Sequence, residues 1–185
     1  MGRVGGDRPS FTAFCRLPES TLTIFRTLDG DCVLERPPAH ICTAPSVNDP
    51  SALELGVKIR SDVAGYVTGI RFYKGAGNTG RHTGSLWTGA GALLGAGTFT
   101  AETSTGWQTL TFDAPIAVAA RTTYVASYHT DTGHYAASNG FFASAGLDNA
   151  PLHALASGVD GANGVYRLGA SGFPSSSYQS TNYWV

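Results

Sequence analysis

Residues 53–60 read Leu53-Glu54-Leu55-Gly56-Val57-Lys58-Ile59-Arg60, and this stretch decides the fold class. Four apolar residues alternate with residues that are polar or glycine. A period of two puts Leu53, Leu55, Val57 and Ile59 on one face of an extended strand and Glu54, Gly56, Lys58 and Arg60 on the other. The same period recurs downstream. Over 66–74 it places Tyr66, Thr68, Ile70 and Phe72 on one face, and Val67, Arg71 and Tyr73 on the other. Trp107-Gln108-Thr109-Leu110-Thr111-Phe112 brings Leu110 and Phe112 together. Tyr124, Ala126 and Tyr128 share a face opposite Val125, Ser127 and His129. Shorter strands are expected at 84–88, carrying Trp87, and at 93–100, 165–168 and 182–185, with a helical turn near 152–156. Short strands at regular intervals, separated by Gly, Pro and Asn, predict an all-β fold. We read an antiparallel β-sandwich of jelly-roll or immunoglobulin-like type.

The chain has 185 residues, which suits one domain and is long enough to bury a core without staples. Charged residues make up 14%, against about 25% in an average soluble domain. The net charge is −1 and no Lys/Arg stripe forms, so the footprint of a nucleic-acid binder is missing. No apolar run approaches the roughly 20 residues of a membrane span. Residues 1–22 lack the apolar segment of a signal peptide. The expectation is a secreted or cell-surface protein whose export signal lies elsewhere or whose start is misassigned.

Composition changes near residue 45. Residues 1–45 read as a poorly defined leader with one short strand near 21–25. They hold Cys15, Cys32 and Cys42, an odd number that cannot pair fully at spacings unlike those of a zinc site. Residues 44–50 read as a linker, and 46–185 as the sandwich domain. The last strand stops at Val185 with no turn after it, so a truncated C-terminus and a less buried Trp184 are expected.

No catalytic constellation is visible. Glu54, Asp62, Glu102, Asp113 and Asp131 are scattered singly at strand ends, whereas glycoside hydrolysis needs two carboxylates about 5–10 Å apart. A G-x-S-x-G elbow is missing. The Gly-rich loop at 75–84 lacks the Lys of a phosphate-binding loop. His129 and His134 flank a turn and are expected to face each other, but two imidazoles fall short of a zinc site. Asp148, Asp160 and Asn163 offer hard oxygen donors on loops. They make structural calcium the one candidate cofactor, although turn chemistry accounts for the same residues.

Aromatic residues make up 11% of the chain. Tyr73, Arg81, His82 and Trp87 border one loop. His134, Tyr135, Asn139, Phe141 and Phe142 border another. Flat rings with polar edges stack on sugar C–H faces, so these are the candidate carbohydrate contacts, although the same rings fill sandwich cores. The exposure of Trp87 and Tyr135 discriminates: both buried favours a spacer.

Three phrases then carry a resemblance. LELGVKIRSDVAGYVTGIRFYKGAGNTGRHTGSLWT starts at residue 53 and GWQTLTFDAPIAVAARTTYVASYHTDTGHYA at 106. PLHALASGVDGANGVY starts at 151, followed by NYWV at 182–185. Over 53–185 the chain resembles a bacterial family of domains of unknown function, number 4082 in that series. The resemblance implies a β-sandwich and an extracellular accessory role beside immunoglobulin-like repeats or carbohydrate-active enzymes. It assigns no ligand. The expected function is a non-catalytic module that binds carbohydrate or targets a neighbouring domain. The alternatives are a structural spacer and a fragment of an extracellular hydrolase-containing protein.

Overall fold

The computed structural model describes residues 46–185 in full and the backbone of residues 22–27 and 30–34. These residues form twelve strands: β1 (Leu22–Thr27), β2 (Gly30–Leu34), β3 (Leu53–Ser61), β4 (Gly65–Lys74), β5 (His82–Thr88), β6 (Leu93–Thr98), β7 (Gly106–Val118), β8 (Thr123–Thr130), β9 (Leu147–Asn149), β10 (Leu152–Ala154), β11 (Val165–Leu168) and β12 (Ser176–Ser177). The small sheet runs β2-β1-β4-β7. The large sheet runs β12-β11-β3-β8-β5-β6, with β10 bridging β3 and β9. Neighbouring strands are antiparallel. The molecule is an all-β, antiparallel sandwich.

The alternation in β3 works as expected. Leu53, Leu55, Val57 and Ile59 are each no more than 2% exposed. They meet Ile70 and Phe72 of β4, Leu110 and Phe112 of β7, and Tyr124, Ala126 and Tyr128 of β8 in one core cluster. Phe72 stacks on Tyr128 at 4.1 Å and takes the edge of Phe99 at 4.8 Å. Each such side chain contributes about 1.5–3 kcal/mol on burial.

β4 departs from its simple period. Its register with β7 breaks between Val67 and Gly69. One irregularity in a ladder switches which side chains face the core. Val67 therefore joins Ile70 and Phe72 inside, while Tyr66 is 42% exposed. Two other expectations are corrected. Residues 152–154 form strand β10 against β3, not a helical turn. Residues 182–185 make one isolated bridge, Ser138 to Asn182, not a closing strand. Trp184 is nevertheless buried at 6% exposure and Val185 fully so. The Trp184 carbonyl accepts the Tyr73 N–H at 2.9 Å. Gly164, at φ +76°, lets the Thr181 carbonyl press against it where a Cβ would collide.

Two strands fall within the 1–45 leader. β1 and β2 form a hairpin, and β1 pairs β4 at Phe25–Val67 and Arg26–Tyr66, so this part of the leader extends the small sheet. The rest of the leader and the side chains of Cys15, Cys32 and Cys42 lie outside the described residues. Among the described residues, no helix is long and apolar enough to cross a membrane.

Candidate functional site

β7 ends the small sheet on one side, and β6 ends the large one opposite β12. Along β7, Gln108, Leu110 and Phe112 are buried, so Trp107, Thr109, Thr111 and Asp113 point outward. At about 3.4 Å per residue those four positions span about 20 Å. Trp107 is half-buried. Its ring meets the edge of Tyr73, its register partner on β4, at 5.7 Å, and Trp184 at 6.4 Å. The Arg71 guanidinium lies 5.6 Å from the Trp107 ring centre, within cation–π range. Phe141 closes the group, 5.8 Å from Trp184. At the other end of the row, β6 and β7 bound a groove of about 440 Å³, lined by Thr98, Thr100, Thr109, Thr111 and Asp113 over Leu110 and Phe112. Gly97 lets β6 approach this closely, since a Cβ there would sit 2.9 Å from Leu110 Cδ1. Arg81 is exposed and donates to Thr98 Oγ1 at 3.0 Å.

The outer face of the large sheet is built differently. Glu54 points away from the core, yet it is fully buried. Segment 169–174, between β11 and β12, covers it. Ser127 donates to Glu54 Oε1 at 2.5 Å, Ser171 to Oε2 at 2.8 Å, and the Gly172 N–H also donates to the carboxylate. Burial pushes the Glu54 carboxyl above its ordinary value, against those hydrogen bonds and the nearby His129. Trp87 Nε1–H donates to Ser127 Oγ at 2.8 Å, and Phe173 packs on the Trp87 ring at 5.9 Å. His129 Nε2–H donates to the Gly169 carbonyl at 3.0 Å, and its Nδ1 lies 3.6 Å from Asp131. Glu54 is therefore not an isolated strand-end carboxylate: it sits beside an imidazole, a hydroxyl and an indole. Trp87, expected at a loop border, is only 8% exposed.

His82, also expected at a loop border, is fully enclosed between the sheets. It lies 3.0 Å from Glu102 Oε1 through Nδ1 and 2.8 Å from the Asn78 amide through Nε2. Lys74 donates to Glu102 at 2.8 Å. Burial, opposed by Glu102, holds the imidazole below its ordinary value. Neutral His82 donates Nδ1–H to Glu102, and Lys74 balances that carboxylate. The Nε2 lone pair then faces Asn78. With its NH₂ turned toward His82 and Thr130, Asn78 satisfies a nitrogen otherwise left without a partner.

The remaining candidates separate. His134, at φ +51°, covers Gly77, with Nδ1 3.3 Å from the Val47 carbonyl, so it does not face His129. Tyr135 is half-buried against Tyr183 at 5.7 Å, and burial raises both phenols. Asn139 is exposed and accepts from Thr181 Oγ1 at 2.9 Å. Phe142 is a core residue at 1% exposure.

The three calcium candidates, Asp148, Asp160 and Asn163, are each engaged by groups of the protein itself. Asn163 Oδ1 accepts the Lys58 and Gly164 N–H groups at 2.8 and 2.7 Å, and Nδ2 donates to the Lys58 and Leu155 carbonyls. Both lone pairs of that oxygen are used, so none is left for a cation. The Asp160 carbonyl accepts Lys58 Nζ and its carboxylate meets Arg60 at 3.4 Å. Asp148 accepts from His153 Nδ1 at 2.7 Å, while Asp62 holds the opposite ring nitrogen at 2.9 Å. Asn163 and Asp160 both engage Lys58, through its backbone and its ammonium respectively, while Asp148 engages His153. Among the described residues, no group of three His, Cys, Asp or Glu side chains is arranged to hold a metal ion.

A family model described as a domain of unknown function (DUF4082) matches residues 39–185. No curated protein and no solved structure matches the chain. Of the residues that the sequence marks as candidates, Tyr73, Arg81 and Phe141 lie along or beside the β7 row. Trp107, Thr109 and Thr111 are not among those candidates, although the alternation that sends Leu110 and Phe112 inward also sends these outward.

Proposed function

The chain belongs to the DUF4082 family, and from that premise we propose that it is a non-catalytic accessory module of a secreted or cell-surface bacterial protein that binds carbohydrate along β7. The observation that carries this reading is the outward row Trp107, Thr109, Thr111 and Asp113, with a partly exposed aromatic group at one end and the Thr-lined groove at the other. Aromatic rings supply stacking area. The hydroxyls and the Asp113 carboxylate supply donors and acceptors for sugar hydroxyls, each worth about 0.5–1.5 kcal/mol net. Side chains on paired strands hold their geometry better than side chains on loops. No bond cleavage is assigned to this row.

The test is affinity electrophoresis through soluble polysaccharides, supported by a glycan array. The protein should be retained by at least one polysaccharide, and Trp107→Ala should weaken that retention about tenfold, roughly 1.4 kcal/mol. An unaltered protein that no glycan retains would defeat the reading.

A second reading, a structural spacer, is favoured by one observation. Trp87 is sealed beneath Phe173, although Tyr135 stays half-exposed. On this reading the module packs against a neighbouring domain, and the longer protein would lose interdomain rigidity when β7 is altered.

A further inference from the structure

We propose that the outer face of the large sheet holds a second sugar subsite, built from Glu54, Ser127 and Trp87, and that the chain's own segment 169–174 occupies it. The inference goes beyond the β7 reading and concerns the opposite face of the sandwich.

Glu54 sits at a position where the alternation of β3 calls for a solvated side chain. Its burial disfavours the charged form, and a carboxylate enclosed among neutral donors is a weak stabilising element. An apolar residue would cover the sheet as well. The covering segment makes three kinds of contact. A hydroxyl, Ser171 Oγ–H, and an amide, Gly172 N–H, donate to the carboxylate. A ring, Phe173, lies on the indole of Trp87. Hydroxyl donors beside an apolar face are what a pyranose presents. The segment thus behaves as an internal stand-in for a sugar. It does not add a strand to the sheet at these positions, because its contacts run to side chains.

The segment is also suited to leave. Gly169, Ala170 and Ser171 are exposed and Gly172 and Phe173 half-buried, while Pro174 at the far end is buried. One end is tied by Gly169, whose N–H donates to Ala52 O at 2.8 Å and whose carbonyl accepts from His129. Phe173 rests on Gly91, which at φ +94° presents no side chain; a Cβ there would lie 3.0 Å from the Phe173 ring. Swinging 170–173 outward exposes two carboxylate oxygens, the Ser127 hydroxyl and one face of Trp87 without disturbing the inner core.

The experiment compares Phe173→Ala with the parent chain, both carrying Trp107→Ala so that the β7 contribution is weakened equally in both. Calorimetric titration uses cellohexaose, xylohexaose and chitohexaose as probes. Opening the segment should tighten at least one of them about tenfold, the factor expected when a state closed nine-tenths of the time is released. Adding Glu54→Gln should abolish the gain. If Phe173→Ala binds no probe better than its parent, the proposal falls. It falls equally if the peptide Gly-Ala-Ser-Gly-Phe-Pro binds the opened protein and the sugars do not. Hydrogen exchange on the unaltered protein gives a second readout that does not depend on the variants folding. The Gly172 amide should exchange at least about a hundredfold faster than that of Ala126, as local opening requires. Equal protection would make the segment part of the cooperative fold and overturn the proposal.

Discussion

Glu102 and Glu54 are carboxylates withdrawn from water on opposite sides of the same large sheet, and they are held in opposite ways. Glu102 reaches the inner side, where Lys74 lies 2.8 Å away and His82 2.8 Å away. Its charge has a counter-charge. Glu54 lies on the outer side and is held by two serine hydroxyls and one peptide N–H, with His129 beside it. Its charge has neutral donors. The first arrangement pins three segments together: the end of β4, the start of β5 and the turn that carries Glu102. The second joins the sheet to the surface segment 169–174, which also packs on Trp87, Gly91 and Arg167. A paired buried charge is expensive to break, whereas a carboxylate with neutral donors can change partners. The Glu102 cluster therefore reads as a structural clamp, and the Glu54 cluster as a site.

The largest effect should come from breaking the clamp. Glu102→Leu leaves the Lys74 ammonium buried without its partner, a change worth about 3–5 kcal/mol in comparable cases. Urea unfolding should show a loss of stability of that size, and adding Lys74→Met should recover most of it. A loss below about 1 kcal/mol would mean that water reaches the pair as it does at a surface. His82 adds a pH signature. Its pKa is held below the ordinary value of 6.5. The stability it confers is present above 6.5 and is lost as pH falls through the depressed value.

Glu54 should respond with the opposite sign. Its folded pKa lies above the ordinary 4.5. Stability associated with the protonated group is fully present below 4.5 and declines as pH rises through the raised value. The groups facing it are His129 on β8 and, by register, Arg167 on β11. Glu54→Gln removes the titration and keeps the volume. The variant should therefore gain on the parent as pH climbs above 4.5, with a net difference near neutrality of about 1–2 kcal/mol or less. Melting curves taken from pH 4 to pH 8 would show it. Parallel curves for the two proteins would mean that Glu54 is not desolvated, and the contrast with Glu102 would lose its basis.

The inner half of this contrast was partly legible in the sequence, and the outer half was not. Leu53, Leu55, Val57 and Ile59, and Tyr124, Ala126 and Tyr128, announced the inner layer because period-two alternation is a local property. The same alternation put Glu54, Ser127 and His129 on the opposite face. Glu54 is covered by the segment carrying Ser171, 117 residues away, and no periodicity carries information over that distance. His82 failed for a similar reason. The Gly-rich run before it suggested an exposed loop border, whereas β5 begins at His82 itself and turns it inward. Asn163 shows the limit of reading residue type alone. An amide on a turn has the donors and acceptors of a calcium ligand, but here they close backbone groups of β3. The β7 row was within reach, since Trp107, Thr109 and Thr111 follow from the positions of Leu110 and Phe112.

The smallest effect extends the contrast to a charge cluster open to solvent. His153 lies between Asp62 and Asp148, at 2.9 and 2.7 Å. Both ring nitrogens face carboxylate oxygens, so the geometry uses the protonated imidazole, which donates on each side. Partial burial works against its charge, but the two carboxylates together raise its pKa above 6.5. The stability it adds is present below 6.5 and is lost as pH rises through the raised value. Because both carboxylates are exposed, solvent screening should hold the contribution to about 0–1 kcal/mol. His153→Ala should therefore lower the melting temperature slightly at pH 6 and negligibly at pH 9, and added salt should shrink the pH 6 difference. An equal cost at both pH values would show that the ring acts by packing on β10 and not by charge. The ordering from enclosed pair to neutral-donor carboxylate to exposed triad would then rest on the first two clusters alone.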